Sequence, residues 1–390
     1  MRRALCLAMI LLLTPFAGCL HGTPLDRFCY VLDLGVERGE TMPYRFVFLL
    51  SEDTAGEAGE GDGRGQVSMI YAEERSLFSA VESLAGTLPA QLSFERTTLL
   101  AFSRELAESG EMEALTAGAL GRLKIRRNVR VLVVEKDMRA AFQGLVSPAD
   151  PSMSRLKANV KLYAENSGFV EDWGLSEVRE AFRLRVGDAM LPYAARLGNG
   201  PAPDMAGGEI YPYLAGSLLG EGQLKTSLCG SAVFAGSRMV GVLSGQHTML
   251  VLMAKGTFQE GHLTVPRGAE PPLEMALYAP QKPRRAWDGR RFTCTLALEA
   301  DLEDPLEPDM DQAALMALTK EYLAGELGSV FRATAGAGAD VFCVGREAIA
   351  TFPTWESWRD ARFAEALRGA EAVFEVRLKL SHSLRDPALE

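Results

Sequence analysis

The residues that could carry chemistry are few and lie far apart in the sequence. The chain of 390 residues contains six cysteines and four histidines, and no two cysteines form a Cys-x-x-Cys pair. Zinc sites usually take their ligands from such close pairs, so the cysteine spacing does not favour a metal centre. A Gly-x-Ser-x-Gly elbow, a His-Glu-x-x-His motif and a phosphate-binding glycine loop are also missing from the sequence. We therefore predict that the chain is not an enzyme and uses no metal or cofactor.

The histidines and the main acidic run offer no catalytic or ligand pattern. We expect His21 beside the N-terminal segment and His247, His262 and His382 as isolated residues at the surface or at strand ends. The acidic run 299–311 lacks the spacing of an EF-hand loop. Its two prolines favour a solvated linker that leads into a helix.

The N-terminus has the pattern of an export signal. Two arginines precede the apolar run 4–13, which is too short to cross a hydrocarbon core of about 30 Å and is typical of a signal peptide. The following residues, Phe16-Ala17-Gly18-Cys19, are similar to a bacterial lipobox. We predict cleavage after residue 18 and acyl chains on Cys19, which would anchor the chain to a bilayer. An ordinary signal peptide cut at another position is the alternative.

The net charge and the surroundings of the cysteines narrow the classes of protein to which this chain can belong. The net charge is −10, and it falls to −12 when the two arginines of the signal peptide are removed. A protein that binds duplex nucleic acid needs a basic surface, so we expect no nucleic-acid partner. The four cysteines beyond residue 19 lie singly in apolar runs, which favours small buried side chains, although an exported protein can also form disulfides. These cysteines are Cys29, Cys229, Cys294 and Cys343.

The first 150 residues alternate strand-like and helix-like patterns, which predicts an α/β or α+β domain over 19–150 behind the signal peptide 1–18. Strands are expected at 28–35, 44–50, 67–71, 97–102 and 128–135. Ser76 is expected to cap a helix that ends before Pro89, and a second helix is expected at 111–123. The segment 51–66 is rich in glycine and acidic residues and is expected to form a loop.

The rest of the chain divides into two further predicted domains. The segment 151–225 is predicted to be mostly helical, with helices at 154–163 and 175–184. The segment 226–390 is predicted to be a C-terminal α/β domain with a long helix from Asp311. Its strands are expected at 231–234, 239–243, 249–254, 273–279, 291–299 and 373–382. The predicted fold class is α+β (mixed α/β), with three α/β domains built on mixed or antiparallel sheets.

Two tryptophans of the C-terminal domain admit two interpretations. Trp355 and Trp358 flank Glu356-Ser357 at the start of an amphipathic stretch. They either pack the C-terminal helix or form a platform for a carbohydrate or peptide.

Several motifs occur in a recognisable order along the chain. The lipobox is followed by Val31-Leu32-Asp33-Leu34-Gly35-Val36-Glu37 and Ser76-Leu77-Phe78-Ser79-Ala80. Later come Gly230-Ser231-Ala232-Val233-Phe234, Met239-Val240-Gly241-Val242-Leu243 and Asp340-Val341-Phe342-Cys343-Val344-Gly345. This order resembles the Ger(x)C family, the C subunits of spore germinant receptors. The chain departs from the family pattern at His247, where an acidic residue is usual, and at Cys343, where glycine is usual.

The resemblance implies a non-catalytic lipoprotein that is needed for nutrient-triggered germination. It implies anchoring through acyl chains on Cys19 at the outer face of the spore inner membrane. It also implies A-type and B-type membrane subunits as partners. The alternative from a different class is an exported lipoprotein that captures a small molecule at the cell surface, which would require a ligand pocket.

Overall fold

The computed structural model describes residues 28–52, 66–88, 90–123, 125–143, 155–207, 213–220, 225–268, 270–302 and 311–380. The predicted signal peptide 1–18, Cys19, His21 and His382 lie outside these ranges. Residues 303–310 of the acidic run also lie outside them.

Within the described residues, nine strands form a mixed sheet. They are β1 Phe28–Arg38, β2 Tyr44–Glu52, β3 Gln66–Glu74, β4 Gln91–Ser93, β5 Leu99–Ser103, β6 Arg130–Val134, β7 Met190–Arg196, β8 Thr226–Ala235 and β9 Arg238–Leu243. The order is β3-β2-β1-β5-β6-β7-β8-β9, with β4 beside β1. Strands β1, β5, β6 and β7 run parallel, and the hairpins at both ends are antiparallel. The sheet thus takes strands from all three sequence segments, 19–150, 151–225 and 226–390.

Six helices of the described chain cover the two faces of this first sheet. They are α1 Leu77–Ala85, α2 Arg104–Ser109, α3 Met112–Arg122, α4 Met138–Gln143, α5 Arg155–Asn166 and α6 Leu175–Leu184. Apolar residues of α1, α2, α3 and α6 pack on one face, and those of α4 and α5 pack on the other. Strand β6 is consequently buried on both sides, as its continuous apolar sequence predicts. Ser76 caps α1 through a reciprocal bond with Ser79, which confirms the predicted helix start.

Five of the described strands form a second sheet in the C-terminal part. They are β10 Glu260–Arg267, β11 Glu270–Tyr278, β12 Arg284–Trp287, β13 Arg291–Leu302 and β14 Glu371–Leu380. Strands β11 and β12 pair antiparallel with the two ends of β13, and β14 runs parallel to β13. The associated helices are α7 Gly245–Lys255, α8 Gln312–Gly336, α9 Gly345–Ala348, α10 Trp355–Asp360 and α11 Phe363–Arg368. The predicted mixed α/β class is therefore confirmed.

Helix α7 shows that the predicted strand at 249–254 is wrong. All of residues 245–254 are buried, and the helix packs between the two sheets, against Val233 and Leu243 on one side and Leu263 on the other. A helix that is buried on every side has no amphipathic period. A short apolar run therefore does not distinguish such a helix from a strand.

The prediction of a mostly helical middle segment omits strand β7. Its sequence, MLPYAAR, is buried at six of seven positions and shows no alternation of polar and apolar residues. The helices predicted in the same segment are confirmed as α5 and α6. The long helix predicted from Asp311 is confirmed as α8, whose first turn donates the backbone N–H of Ala313 to the Asp311 carboxylate at 2.9 Å.

Gly230 in β8 occupies a position where a side chain does not fit. Its φ is +81°, and an added Cβ would overlap the carbonyl oxygen of Leu243. We expect Gly230→Ala to lower the free energy of unfolding by about 2 kcal/mol or more, because left-handed strain and a backbone clash add together. Urea denaturation measures the change.

Gly118→Ala is the matched control for this substitution. Gly118 is exposed on α3, and an added Cβ would meet nothing within 4 Å. Alanine is the better helix former, so this variant should be unchanged or more stable by up to about 1 kcal/mol. Equal loss of stability in both variants would contradict the steric argument.

Candidate functional site at the junction of the two sheets

A buried histidine joins three separate parts of the chain at the junction between the sheets. His247, in the first turn of α7, is fully buried. Its Nδ1 lies 2.7 Å from Asp204 Oδ2, and its Nε2 lies 3.1 Å from Glu326 Oε2 on α8. The expectation of a surface or strand-end histidine is therefore wrong. Both partners are distant in sequence, so no local pattern revealed this arrangement.

The two carboxylates stabilise the charged form of this histidine. Burial by itself would lower the pKa of His247, but hydrogen bonds and charge from Asp204 and Glu326 raise it to about 9. Burial would likewise raise the pKa of Asp204. The bond to His247 and the backbone N–H groups of Ser244 and Ala206 outweigh burial, so the pKa of Asp204 is below its ordinary value.

This geometry allows a structural role and leaves no nitrogen for catalysis. At neutral pH the imidazolium donates both of its N–H groups to carboxylates, and neither nitrogen is open to a substrate or a metal. Within the described part of the chain, no cluster of His, Cys, Asp or Glu is arranged to hold a metal ion. We call Asp204, His247 and Glu326 the charged lock, because their ion pairs link the loop after β7 to the helices α7 and α8.

Two buried aspartates form a second link across the same junction. Asp188, just before β7, accepts hydrogen bonds from the backbone N–H groups of Gly236 at 2.7 Å and Asp340 at 2.8 Å. Asp340 in turn accepts from the N–H groups of Val344 and Gly345, both at 2.7 Å. Burial raises the pKa of both carboxyl groups, to about 7 for Asp340. The sequence singled out Asp340 through the resemblance but gave no signal for Asp188.

The turn after Asp340 explains why glycine is expected at position 343. Cys343 has a φ of +54°, in the left-handed region that glycine adopts most readily. Its Sγ packs against Gly187, where an added Cβ would lie only 2.8 Å from the sulfur. Arg285 holds the turn by donating to the carbonyl oxygens of Phe342 and Cys343 at 2.7 and 2.9 Å. The turn is thus fixed by contacts from both halves of the chain.

Cys29, Cys294 and Cys343 occupy the buried positions that the sequence favours, and Cys229 is half-buried. Cys229, Cys294 and Cys343 are free thiols. Burial raises the pKa of Cys229 and of Cys294 to about 12, so neither provides a reactive thiolate near neutral pH. Cys29 is buried in β1, with its thiol near the carbonyl oxygen of Ser51.

Two cavities lie beside this junction. One, of about 420 Å³, is lined by five arginines together with Asp188, Asp340 and aromatic side chains. The other, of about 550 Å³, has an acidic lining that includes Glu171, Glu177 and Glu180. Trp355, which is 45% exposed, lines both cavities, whereas Trp358 is almost fully buried. The two tryptophans therefore differ, with Trp358 packed in the core and Trp355 at the surface.

The predicted lipidation residue, Cys19, is not among the residues that the structure brings together here, because it lies outside the described ranges. Of the helices that the structure describes, none has the length and apolar character needed to cross a membrane. Of the other predicted single histidines, His262 is exposed on β10.

Comparison with known proteins gives matches over both halves of the chain. Residues 22–196 match the family model described as spore germination protein N-terminal domain. Residues 229–383 match the model described as spore germination B3/GerAC like, C-terminal. A solved structure titled "Crystal Structure of the GerBC protein" is similar with a TM-score of 0.49 and 10% identity, over 89% of this chain and 96% of that chain. No curated protein matches the sequence.

Because of the charged lock, we expect the free energy of unfolding to fall as the pH rises from about 6.5 to about 9. The pKa of His247 is near 6.5 in the unfolded chain and about 9 in the folded protein, so the folded protein binds more protons in this window. The contribution is complete below about pH 6.5 and is lost above about pH 9. Its size is of the order of 3 kcal/mol. Urea denaturation at about pH 6 and pH 9.5 measures the difference.

His247→Gln removes the titrating group and should flatten this part of the pH dependence. His262→Gln, at the exposed position on β10, removes a histidine outside the lock and should keep the native pH dependence. A His247→Gln protein with the native loss of stability between these pH values would show that the lock is not the source.

Proposed function

Because the chain belongs to the GerAC-like family of spore germination proteins, we propose that it is the C subunit of a spore germinant receptor. The observation that carries this proposal is the match of both halves to that family, 22–196 to its N-terminal model and 229–383 to its C-terminal model. A match to one half alone would fit a shared module, whereas consecutive matches fit the whole subunit.

We further propose that Cys19 carries the membrane anchor. The signal pattern 1–18 and the lipobox Phe16-Ala17-Gly18-Cys19 support this assignment, and several acyl chains give stable anchoring because each buried methylene contributes about 0.8 kcal/mol. Strand β1 begins at Phe28, nine residues after Cys19. Nine residues span at most roughly 30 Å, so the folded body would stay close to the bilayer surface.

We propose a non-catalytic role at the outer face of the spore inner membrane, with A-type and B-type membrane subunits as partners in nutrient-triggered germination. The buried links at the junction support this role, because Asp204, His247 and Glu326 hold two sheets together and present no open catalytic group. A rigid body of this kind suits a subunit that binds partners. The three-part division at 19–150, 151–225 and 226–390 remains part of the proposal as a division of the sequence, since one sheet takes strands from all three segments.

A second candidate function is an exported lipoprotein that captures a small molecule at the cell surface. The two cavities beside the junction, of about 420 and 550 Å³, favour it, since both volumes lie in the range typical of small-molecule sites. This function and the first are distinguished by where the protein is found.

Fractionation of spores tests the proposed anchor and location. We expect the native protein in the inner-membrane fraction and at least a tenfold loss from that fraction in Cys19→Ala, because the acyl chains have no other attachment point in the proposal. Nutrient-triggered germination should fall in parallel. Immunoblots of the fractions and loss of spore refractility measure the two effects.

Cys6→Ala is the matched control, because it removes a cysteine from the apolar run of the signal and leaves the lipobox unchanged. This variant should fractionate and germinate as the native protein does. Absence of the native protein from spores, with the protein present in vegetative membranes, would contradict the receptor assignment and favour the ligand-capturing lipoprotein.

A further inference from the structure

The smaller of the two cavities, the arginine groove, concentrates positive charge in an otherwise acidic chain. It is defined by the end of α6, which supplies Arg183 and Arg185, and by the α10–α11 region, which supplies Arg359, Arg362 and Arg368. Five of its thirteen lining residues are arginines, whereas the whole chain has a net charge of −10. The arginines come from parts of the sequence about 180 residues apart, so folding brings them together.

Close ion pairs offset only part of this positive charge. Among the residues that the structure describes, no carboxylate lies within 4 Å of the guanidinium groups of Arg183, Arg185 or Arg368. Arg359 and Arg362 have only exposed partners, Asp360 at 3.7 Å and Glu365 at 3.4 Å. Five arginines thus face three carboxylates in the lining, Asp188, Asp340 and Glu365, so the groove keeps a net positive charge.

Two buried carboxylates line the groove, but they offset its positive charge only in part. Asp188 and Asp340 are each only 5% exposed, and both direct their oxygens to backbone N–H groups. Burial raises the pKa of both carboxyl groups, to about 7 for Asp340, so part of the negative charge of Asp340 is absent near neutral pH.

One wall of the groove offers an apolar surface beside the arginines. The indole of Trp355 is partly exposed, and the buried rings of Trp358 and Phe363 lie next to each other with centroids 5.0 Å apart. Guanidinium groups match the oxygens of a phosphate through forked hydrogen bonds, and an exposed indole can pack against an apolar ligand body. The cavity volume of about 420 Å³ suits a small organic molecule.

We propose that the arginine groove binds an organic phosphate, with the phosphoryl oxygens on the arginines and the body of the ligand on Trp355. Two sources share this chemistry, the headgroup of an anionic phospholipid and a soluble phosphate ester. This inference goes beyond the receptor assignment and does not depend on it, because binding is measured on the purified chain.

Thermal unfolding of the full chain in a neutral detergent tests the proposal. The probes are inorganic phosphate, glycerol 3-phosphate, dihexanoyl phosphatidylglycerol and dihexanoyl phosphatidylcholine, each compared with sodium chloride at equal ionic strength. We expect the phosphate anions and phosphatidylglycerol to raise the unfolding temperature by at least about 2 °C at saturation, because a ligand that binds only the folded state stabilises it. Phosphatidylcholine, whose choline group cancels the phosphate charge, should give no shift.

Substitution of one arginine from each side of the groove tests the site. Arg183→Gln combined with Arg368→Gln should raise the concentration for half-maximal shift at least tenfold, because each removes a charge-assisted bond. Arg75→Gln, in the exposed turn before α1, removes one charge elsewhere and should change this concentration less than twofold. Arg359→Gln is a second groove variant at an exposed position, for the case in which the double variant folds poorly.

The same titrations distinguish the two ligand sources. Phosphatidylglycerol acting at tenfold lower concentration than glycerol 3-phosphate identifies a lipid headgroup, and the reverse order identifies a soluble ester. Both outcomes support the proposal. It is overturned if no phosphate-bearing probe shifts the unfolding temperature, if phosphatidylcholine acts as phosphatidylglycerol does, or if the groove variants bind as the Arg75→Gln control does.

Discussion

His247 places a charged side chain in a helix, α7, that is buried on every side, and much of this structure follows from the partners that this buried charge requires. Ser244 accepts the N–H of His247, and Gln246 donates to the carbonyl oxygen of Thr264 at 3.0 Å. His247 takes its partners from the loop after β7 and from α8. The polar partners of α7 therefore come from the loop after β7, from β10 and from α8, and they fix how the two sheets sit together. Removing one carboxylate would leave one N–H of the buried imidazolium without its acceptor, and an unsatisfied buried donor costs more than the loss of a surface pair.

The three later motifs of the family resemblance, at 230–234, 239–243 and 340–345, lie around this same junction and serve as its scaffold. Gly230 lets β8 approach the end of β9, and Asp340 organises the turn that contains Cys343. Asp188 ties that turn to the first sheet. A cysteine can replace glycine at 343 because Gly187 leaves room for its sulfur. These contacts suit a protein whose function depends on holding two parts in a fixed relation.

Sequence patterns predicted those helices and strands that carry a signal within their own residues. Ser76 and Asp311 mark helix starts through their own side chains, and the alternation in β14 and the apolar run of β6 follow from burial on one face and on two. Helix α7 and strand β7 were inaccessible to such reasoning because complete burial removes periodicity.

The candidate site was still less accessible from sequence. The partners of His247 lie 43 and 79 residues away, and Asp188 is 152 residues from Asp340. The resemblance pointed to Asp340 and to position 343 but not to the residues that hold them.

The start of the second family match does not coincide with a boundary between folded units. That match starts at residue 229, inside β8, although β8 and β9 complete the first sheet beside β7. A chain cut there would leave β7 as a long unpaired apolar edge, which invites intermolecular strand pairing. During synthesis the same edge stays open until β8, which ends at Ala235, has been made. The segment that the second family model matches is therefore smaller than the unit that can fold, and the two halves must be synthesised as one polypeptide.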